Sequence, residues 1–217
     1  MIPIKDNMPT DRFPVVTVAL ILANVIAYVL AVGHGGSLIS GPDAHEMSRH
    51  GLTADAPTVP TVLTSMFLNG SIAQLLGNML FLWLFGNNVE DSMGPLRFFG
   101  FYVIGGLVAT ALQLAADPHA VVPTVSAAGA VAAVVGGYVM LYPRARVLTL
   151  VLILFLFGVV EVPVLLMLGV WLVMQAVFGN GIDAYLGYAG GLVFGGLAIR
   201  LLVTKRKATP PTAPAYR

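Results

Sequence analysis

The sequence predicts an all-α polytopic membrane protein with six transmembrane helices. Hydrophobic residues make up 58% of the 217 residues and charged residues only 10%, whereas soluble domains carry about 25% charged residues. The mean hydropathy of the chain is +0.88. Apolar runs separated by polar loops then divide the chain into helices, and about 20 apolar residues are needed to cross the hydrocarbon of a bilayer.

Six apolar segments are predicted to span the membrane. The first is too long for the core of a cleaved signal peptide, which is roughly 7–15 residues, so it is predicted to remain as a helix. A further apolar segment at residues 147–157 is short and rich in β-branched and aromatic residues. It is predicted to be interfacial or re-entrant, and a seventh helix is the alternative. The six spans are predicted at residues 14–32, 62–85, 98–116, 127–141, 163–178 and 184–203.

The placement of Lys and Arg predicts that both termini are cytoplasmic. With six spans, ten of the eleven cations fall on the side of the termini and only Arg49 falls on the other, which is the excess that cytoplasmic loops carry. Residues 33–61 then form an external loop. This arrangement suits a bacterial inner membrane. Residues 1–203 are predicted to form one membrane domain, and residues 204–217 a basic, proline-rich cytoplasmic tail without packed structure.

Several kinds of site are not expected in this chain. It has no cysteine, which excludes disulfides and thiolate catalysis. Its four histidines lie in predicted loops without the spacing of metal ligands on a helix, so neither a metal site nor a cofactor is predicted. The net charge is +1 and the cations lie at membrane edges. The lipid bilayer, and not a nucleic acid, is therefore the predicted partner.

The fourth span is unusually short. At 1.5 Å per residue, its roughly 15 residues extend about 22 Å, whereas the hydrocarbon core is about 30 Å thick. The helix is therefore predicted to begin inside the membrane, where its first N–H groups must face protein or water. A helix N-terminus in such a place favours a partial negative charge.

Small residues recur every four positions along the fourth and sixth spans. Such faces allow membrane helices to approach closely. If the two stripes meet, Ala128 and Tyr188 come near each other on the external half of the membrane. The alternative is helix packing without any chemistry. The stripes consist of Gly129, Ala133 and Gly137 and of Gly187, Gly191 and Gly195.

Four segments carry sequence motifs. Residues 67–78 read FLNGSIAQLLGN, residues 86–91 read GNNVED, residues 142–146 read YPRAR and residues 188–195 read YAGGLVFG. In these motifs the chain resembles the rhomboid intramembrane proteases, from Met1 to about Val203. The family patterns are F-L-H-G-x-x-x-H-L-x-x-N, G-N-N-V-E-D and H-x-x-G-x-x-x-G, with G-x-S-G at the head of the fourth span and YPRAR after that span in many bacterial members.

The resemblance implies a rhomboid-like bundle and an acyl-transfer site. In the family, a serine of the fourth span is the nucleophile and a histidine of the sixth span is its base. Backbone N–H groups, with a histidine and an asparagine of the second span, line the oxyanion hole, and the substrates are single-span membrane proteins. Most of the positions that match these residues differ here. They carry Ala128 for the nucleophile, Tyr188 for the base, Gln74 and Asn69 for histidines and Ser126 for the first glycine, whereas Asn78 and Gly129 keep the family residues.

These departures predict a catalytically inactive protein, a pseudoprotease. Acyl transfer needs a nucleophile beside a base, but Ala128 has no hydroxyl and a tyrosine is a donor near neutral pH. The predicted function is to bind transmembrane segments of client proteins in a polar cavity. Two alternatives remain open: an intramembrane serine endopeptidase that uses Ser126, and a client-free structural or designed bundle. The predicted cavity residues are Asn69, Gln74, Asn78, Ser126 and Gly129.

Two polar features of the second span carry further predictions. Gln74 and Asn78 are four residues apart and project from one face of a helix. They either bond neighbouring helices or aim donors into the cavity. Glu90 is predicted to lie near the cytoplasmic end of that span and to accept structural hydrogen bonds.

Overall fold

The chain folds as a bundle of helices with a small sheet. The computed structural model describes residues 2–8, 10–53, 57–116, 118, 127–153, 156–178 and 182–204. The helices within these ranges are α1 (Val15–His34), α2 (Ala44–His50), α3 (Val59–Ser65), α4 (Ile72–Met93), α5 (Pro95–Ala116), α6 (Ala128–Leu141), α7 (Val164–Phe178) and α8 (Ile182–Leu202). The strands are β1 (Ile2–Asp6), β2 (Gly36–Ser37), β3 (Gly41–Pro42), β4 (Arg146–Ile153) and β5 (Leu156–Pro163).

The helices fit an integral membrane protein. Three of those described are long and apolar enough to cross a bilayer, namely α1, α5 and the Tyr185–Leu202 part of α8. Two others, α6 and α7, are apolar but shorter. The 22-residue helix α4 is long enough but carries four amides and two acids. Five of the six predicted spans therefore correspond to one helix each, and the second overlaps both α3 and α4. The count of six membrane crossings stays a prediction.

The predicted boundaries of the second span were wrong. The chain is not one helix over residues 62–85, because α3 ends at Ser65 and α4 begins at Ile72. The side chain of Ser71 accepts a hydrogen bond from the backbone N–H of Gln74 and caps the start of α4, as serine commonly does at helix N-termini. The helix then continues to Met93, where Gly94 ends it with a φ of 87°.

The segment after the fourth span is a β-hairpin, so the alternative of a seventh helix was wrong. Strands β4 and β5 pair antiparallel from Arg146 opposite Pro163 to Ile153 opposite Leu156. The N-terminal strand β1 adds antiparallel to β4, which gives the order β1-β4-β5. A short apolar run of β-branched residues is compatible with either a strand or a buried helix, and here the pairing of backbone groups between strands decides for the sheet.

Helix α6 lies at the centre of the bundle. It contacts α8, α5, α4 and α7, and all eight residues from Ala128 to Val135 are buried. A helix that is apolar on every side is typical of a fully enclosed core. Its N-terminus is therefore surrounded by protein, as its short length predicts.

Helix α1 is attached to the bundle through Glu90 of α4. The carboxylate accepts hydrogen bonds from the backbone N–H of Val16 at 3.0 Å and of Thr17 at 2.8 Å, and from the Thr17 hydroxyl at 2.8 Å. Pro14, at the N-cap, has no side-chain hydrogen bond to the first turn. Glu90 therefore caps α1 from a neighbouring helix, and the predicted structural role of this residue is confirmed.

Candidate functional site

The two positions predicted to match the family's nucleophile and base lie inside the bundle. Ala128 is the first residue of α6 and is 0% exposed, and Tyr188 of α8 is 2% exposed. Both belong to the same cluster of buried side chains. Ala127, the N-cap residue of α6, offers no side-chain hydrogen bond to the first turn. The start of α6 is thus buried.

Aromatic rings fill the space around Tyr188. Its ring centroid lies 5.9 Å from that of Trp171 on α7 and 5.9 Å from that of Tyr185, both edge-on. The Trp171 ring in turn lies 6.1 Å from Phe81 of α4. Edge-to-face packing at such distances is favourable for aromatic side chains. The cluster therefore joins α4, α7 and α8 around Tyr188.

A chain of buried amides crosses the bundle beside this cluster. Gln175 of α7 donates to the side-chain oxygen of Asn78 at 2.8 Å, and Asn78 donates to that of Asn69 at 2.9 Å. Asn69 donates to Asn24 at 3.5 Å, and Asn24 donates to the carbonyl of Leu20 at 2.8 Å. The four amides are at most 2% exposed. Asn78 therefore bonds a neighbouring helix, which was the first of the two roles considered for it.

Gln74 forms hydrogen bonds within its own turn. Its side-chain oxygen accepts a hydrogen bond from the backbone N–H of Gly70 at 2.7 Å, and its backbone N–H donates to the Ser71 hydroxyl at 3.2 Å. The side chain thereby stabilises the turn that precedes α4. The side chain is 2% exposed, so it is enclosed like Asn78.

The cavity next to Tyr188 is small. Its volume is about 10 Å³, and a cavity must hold at least roughly 10–15 Å³ for one water molecule. A client segment could not enter it without movement of the surrounding helices. The residues that line it are Met66, Gly106, Ala109, Thr110, Gln113, Gly129, Ala130, Gly187 and Tyr188.

The comparisons with known proteins give the family. A family model described as Rhomboid domain matches residues 57–205, which is more than half of the chain. The chain belongs to the rhomboid family. The matched range begins just before α3 and contains α4 to α8, with Asn78, Ala128 and Tyr188. A search of curated proteins finds no match to this sequence.

Rhomboid-family proteins are in general intramembrane serine proteases. At the two positions predicted to match the nucleophile and the base, this rhomboid has the methyl group of Ala128 and the phenol of Tyr188. The Ser126 position, which the endopeptidase alternative requires, lies outside the described residues. Among the described residues, no group of three His, Asp or Glu side chains is placed to hold a metal ion.

The small residues of this rhomboid's sixth span pack against two different helices. A Cβ at Gly195 would meet the carbonyl oxygen of Ala133, and one at Gly191 would meet the carbonyl oxygen of Gly129. A Cβ at Gly187, in contrast, would lie 3.0 Å from the carbonyl oxygen of Ala109 on α5. Gly191 and Gly195 thus face α6, whereas Gly187 faces α5.

The glycines of the fourth span are divided in the same way. A Cβ at Gly129 would meet Ala109 of α5, and one at Gly137 would lie 3.0 Å from the ring of Phe101 and 3.5 Å from the carbonyl oxygen of Gly195 on α8. Gly136, which lies outside the predicted stripe, is the glycine of α6 whose Cβ would meet the backbone of Leu192 on α8. A strict spacing of four misses this position because an α-helix has 3.6 residues per turn.

Three buried residues of the site were not singled out from the sequence. Gln175 and Asn24 extend the amide chain in both directions from Asn78. Trp171 is 0% exposed, and its indole N–H has no acceptor among the described residues. The sequence could have indicated Asn24 and Gln175, because each is a polar residue inside an apolar span. Such a residue often marks an interhelical contact or a functional site.

Proposed function

We propose that this rhomboid-family protein is catalytically inactive and binds transmembrane segments of client proteins. The observation that carries the proposal is the pair of Ala128 and Tyr188 at the positions of the nucleophile and the base. A methyl group cannot attack a carbonyl carbon, and the reaction requires an activated nucleophile beside a base. Asn78 and Gly129 are the residues that the family has at these positions. The residues around the site therefore resemble those of the family more than the reacting groups do.

Buried polar groups support the binding of a segment with free backbone carbonyls. The Trp171 N–H is buried without an acceptor among the described residues, and an unsatisfied buried donor costs about 1–3 kcal/mol. A carbonyl of a client would remove that cost. Segments that contain Gly or Pro should bind best, because their helices are irregular and leave carbonyls unpaired. Such a segment reaches Trp171 and Asn78 only if α7 separates from α4, which breaks the Gln175–Asn78 hydrogen bond.

A crosslinking experiment with defined partners tests this function. The purified protein carries a photoreactive phenylalanine derivative at Trp171, or at Ala128 near the head of α6, and is reconstituted with single-span peptides. We expect a peptide with a Gly-Pro pair in its span to give several-fold more adduct than an all-leucine peptide. Position Leu165, on the exposed face of α7, is the matched control and should not discriminate. Equal adducts with both peptides at positions 171 and 128 would contradict client binding.

The alternative of an active endopeptidase has its own test. Labelling of the purified protein with a fluorophosphonate should give no covalent adduct. An adduct that disappears in Ser126→Ala would show that the protein has a nucleophile and would refute its inactivity.

Restoring the family residues tests whether the loss of the nucleophile and the base accounts for the proposed inactivity. We expect Ala128→Ser with Tyr188→His to give at most slow cleavage of a single-span reporter, because Asn69 still replaces a family histidine. Adding Gln74→His should help little, since it also removes the oxygen that accepts the Gly70 N–H. Full activity of the double variant would show that the remaining differences do not matter.

A client-free structural bundle is the second candidate, and the closed packing around Ala128 favours it. The chain has no cysteine, so Ala128→Cys introduces a single thiol. If clients enter from a water-accessible site, this thiol should react with a membrane-impermeant maleimide in vesicles. A thiol that reacts only after unfolding would favour the client-free bundle.

A further inference from the structure

A second and larger pocket lies far along the chain from the acyl-transfer positions. It is enclosed by the last two turns of α1, by α2 and by α3 with the residues that follow it, and its volume is about 420 Å³. Pockets that bind small molecules commonly have volumes of roughly 300–1,000 Å³. Most of its wall is apolar and consists of Ala27, Leu30, Ala31, Leu63, Phe67 and Leu68.

One buried carboxylate faces this apolar wall. Glu46 of α2 lines the pocket, and its side chain is 6% exposed. In the described part of the chain, the only Lys, Arg or His side chain within 4 Å of its carboxylate is His50, one turn later, with 3.6 Å between Oε2 and Nε2. That distance exceeds the 2.7–3.2 Å of a good N–H···O hydrogen bond. A buried carboxylate is costly unless it is paired and hydrogen-bonded, so Glu46 can accept from a further cationic donor.

The position of the pocket indicates what can enter it. Helix α1 is 20 residues long, or about 30 Å, and so matches the thickness of the bilayer hydrocarbon. The α1 wall of the pocket belongs to its last two turns, and His34, the last residue of α1, lines the pocket as well. The pocket therefore lies where hydrocarbon meets the headgroup region. Its surroundings expose large apolar side chains at Leu30, Leu63 and Val59, which suit contact with lipid.

We propose that this pocket binds one phospholipid with a primary ammonium headgroup. An alkyl chain lies along Leu30, Leu63 and Phe67, and the ammonium group donates to the Glu46 carboxylate. The phosphate then lies next to His50, whose side chain is 42% exposed. A primary ammonium has N–H donors for charge-assisted hydrogen bonds. A trimethylammonium headgroup has no such donor, and a glycerol headgroup leaves the lipid with a net negative charge that Glu46 repels.

Competition between lipids tests the headgroup without any variant. The delipidated protein is mixed with equal amounts of dioleoyl phosphatidylethanolamine, phosphatidylcholine and phosphatidylglycerol, and retained lipid is counted by native mass spectrometry. We expect one retained phosphatidylethanolamine, preferred at least about tenfold over each of the others. In Glu46→Gln, which keeps the shape of the side chain, this preference should fall to within about twofold. Equal retention of the three lipids by the wild-type protein would overturn the proposal.

Filling the pocket tests the location. Leu63→Trp should abolish the retained phosphatidylethanolamine, whereas the matched control Leu165→Trp, on the exposed face of α7, should keep it. If Leu63→Trp does not fold, Ala27→Leu narrows the same pocket by a smaller amount and should weaken retention several-fold. Retention by a folded pocket-filling variant at the wild-type level, or equal loss in Leu165→Trp, would place the lipid elsewhere and refute the site.

Discussion

The cap that Glu90 provides for α1 can be tested by a single change of charge. In Glu90→Gln, one carboxylate oxygen is replaced by an amide nitrogen, which cannot accept a hydrogen bond. The backbone N–H and the hydroxyl of Thr17, which donate to Oε2 in the wild-type protein, then lose this acceptor. The Val16 and Thr17 donors share one remaining acceptor, and the negative charge at the helix N-terminus is lost. The side chain is 4% exposed, so water cannot easily replace the lost acceptor.

The size of the effect follows from these contacts. A hydrogen bond to a charged group contributes about 1.5–3 kcal/mol, and a charge at a helix N-terminus adds about 0.3–1 kcal/mol. Because one of the acceptors remains and such contributions are not additive, we expect Glu90→Gln to lower the free energy of unfolding by about 2–4 kcal/mol. Thr17→Val removes only the hydroxyl hydrogen bond to the carboxylate and should cost about 1.5–3 kcal/mol.

The assay combines stability with a local measurement. The free energy of unfolding is measured by denaturant titration in mixed micelles, and hydrogen exchange is followed at the first turn of α1. Exchange there should accelerate more in Glu90→Gln than in the rest of the helix. The control is Glu161→Gln, because the Glu161 side chain is 37% exposed and forms a surface pair with Arg146. A stability of Glu90→Gln within about 0.5 kcal/mol of wild type, or an equal loss in Glu161→Gln, would refute the reasoning.

Further predictions concern the packing of the bundle. Gly195→Ala should lower the free energy of unfolding by about 1–3 kcal/mol, because its Cβ meets the backbone of Ala133. Gly100→Ala, whose Cβ would have no neighbour within 4 Å, should instead raise the free energy of unfolding by up to about 1 kcal/mol. Denaturant titration measures both variants, and a change in the same direction for the two would contradict the described packing. Asn78→Leu should cost about 1–3 kcal/mol, since interhelical hydrogen bonds in membranes contribute about 0.6–1.7 kcal/mol each. Adding Gln175→Leu to Asn78→Leu should cost little more, and full additivity would show that the two amides do not bond.

The amides of the bundle illustrate how far local patterns reach. The spacing of Gln74 and Asn78 places both on one face of a helix, and both are buried. The partners of Asn78 and Asn69 were beyond that pattern, because Gln175 is 97 residues from Asn78 in sequence and Asn24 is 45 residues from Asn69. Periodicity determines the face on which a residue lies, but it does not determine which helix covers that face. Asn78 thus joins helices, whereas Gln74 accepts from Gly70 in its own turn.

Two other features were ambiguous for different reasons. The apolar run at residues 147–157 suits a strand or a buried segment equally, and its pairing with β1 depends on residues at the far end of the chain. The predicted second span continued through residues 66–71, because apolar residues surround the turn and the cap at Ser71 is a single side chain. The pocket around Glu46 is formed by three separate segments, so no local pattern could have indicated it.

The amino-acid sequence by itself determined the membrane class of this protein, its rhomboid motifs and the absence of a hydroxyl at position 128. These follow from composition and from the atoms that each side chain contains, which folding does not change. Only the tertiary structure decided that Tyr188 packs between Trp171 and Tyr185, that the space beside it has a volume of about 10 Å³, and that a larger pocket lies at the end of α1. Enclosure and pairing depend on which surfaces meet, and distant parts of the chain settle that together.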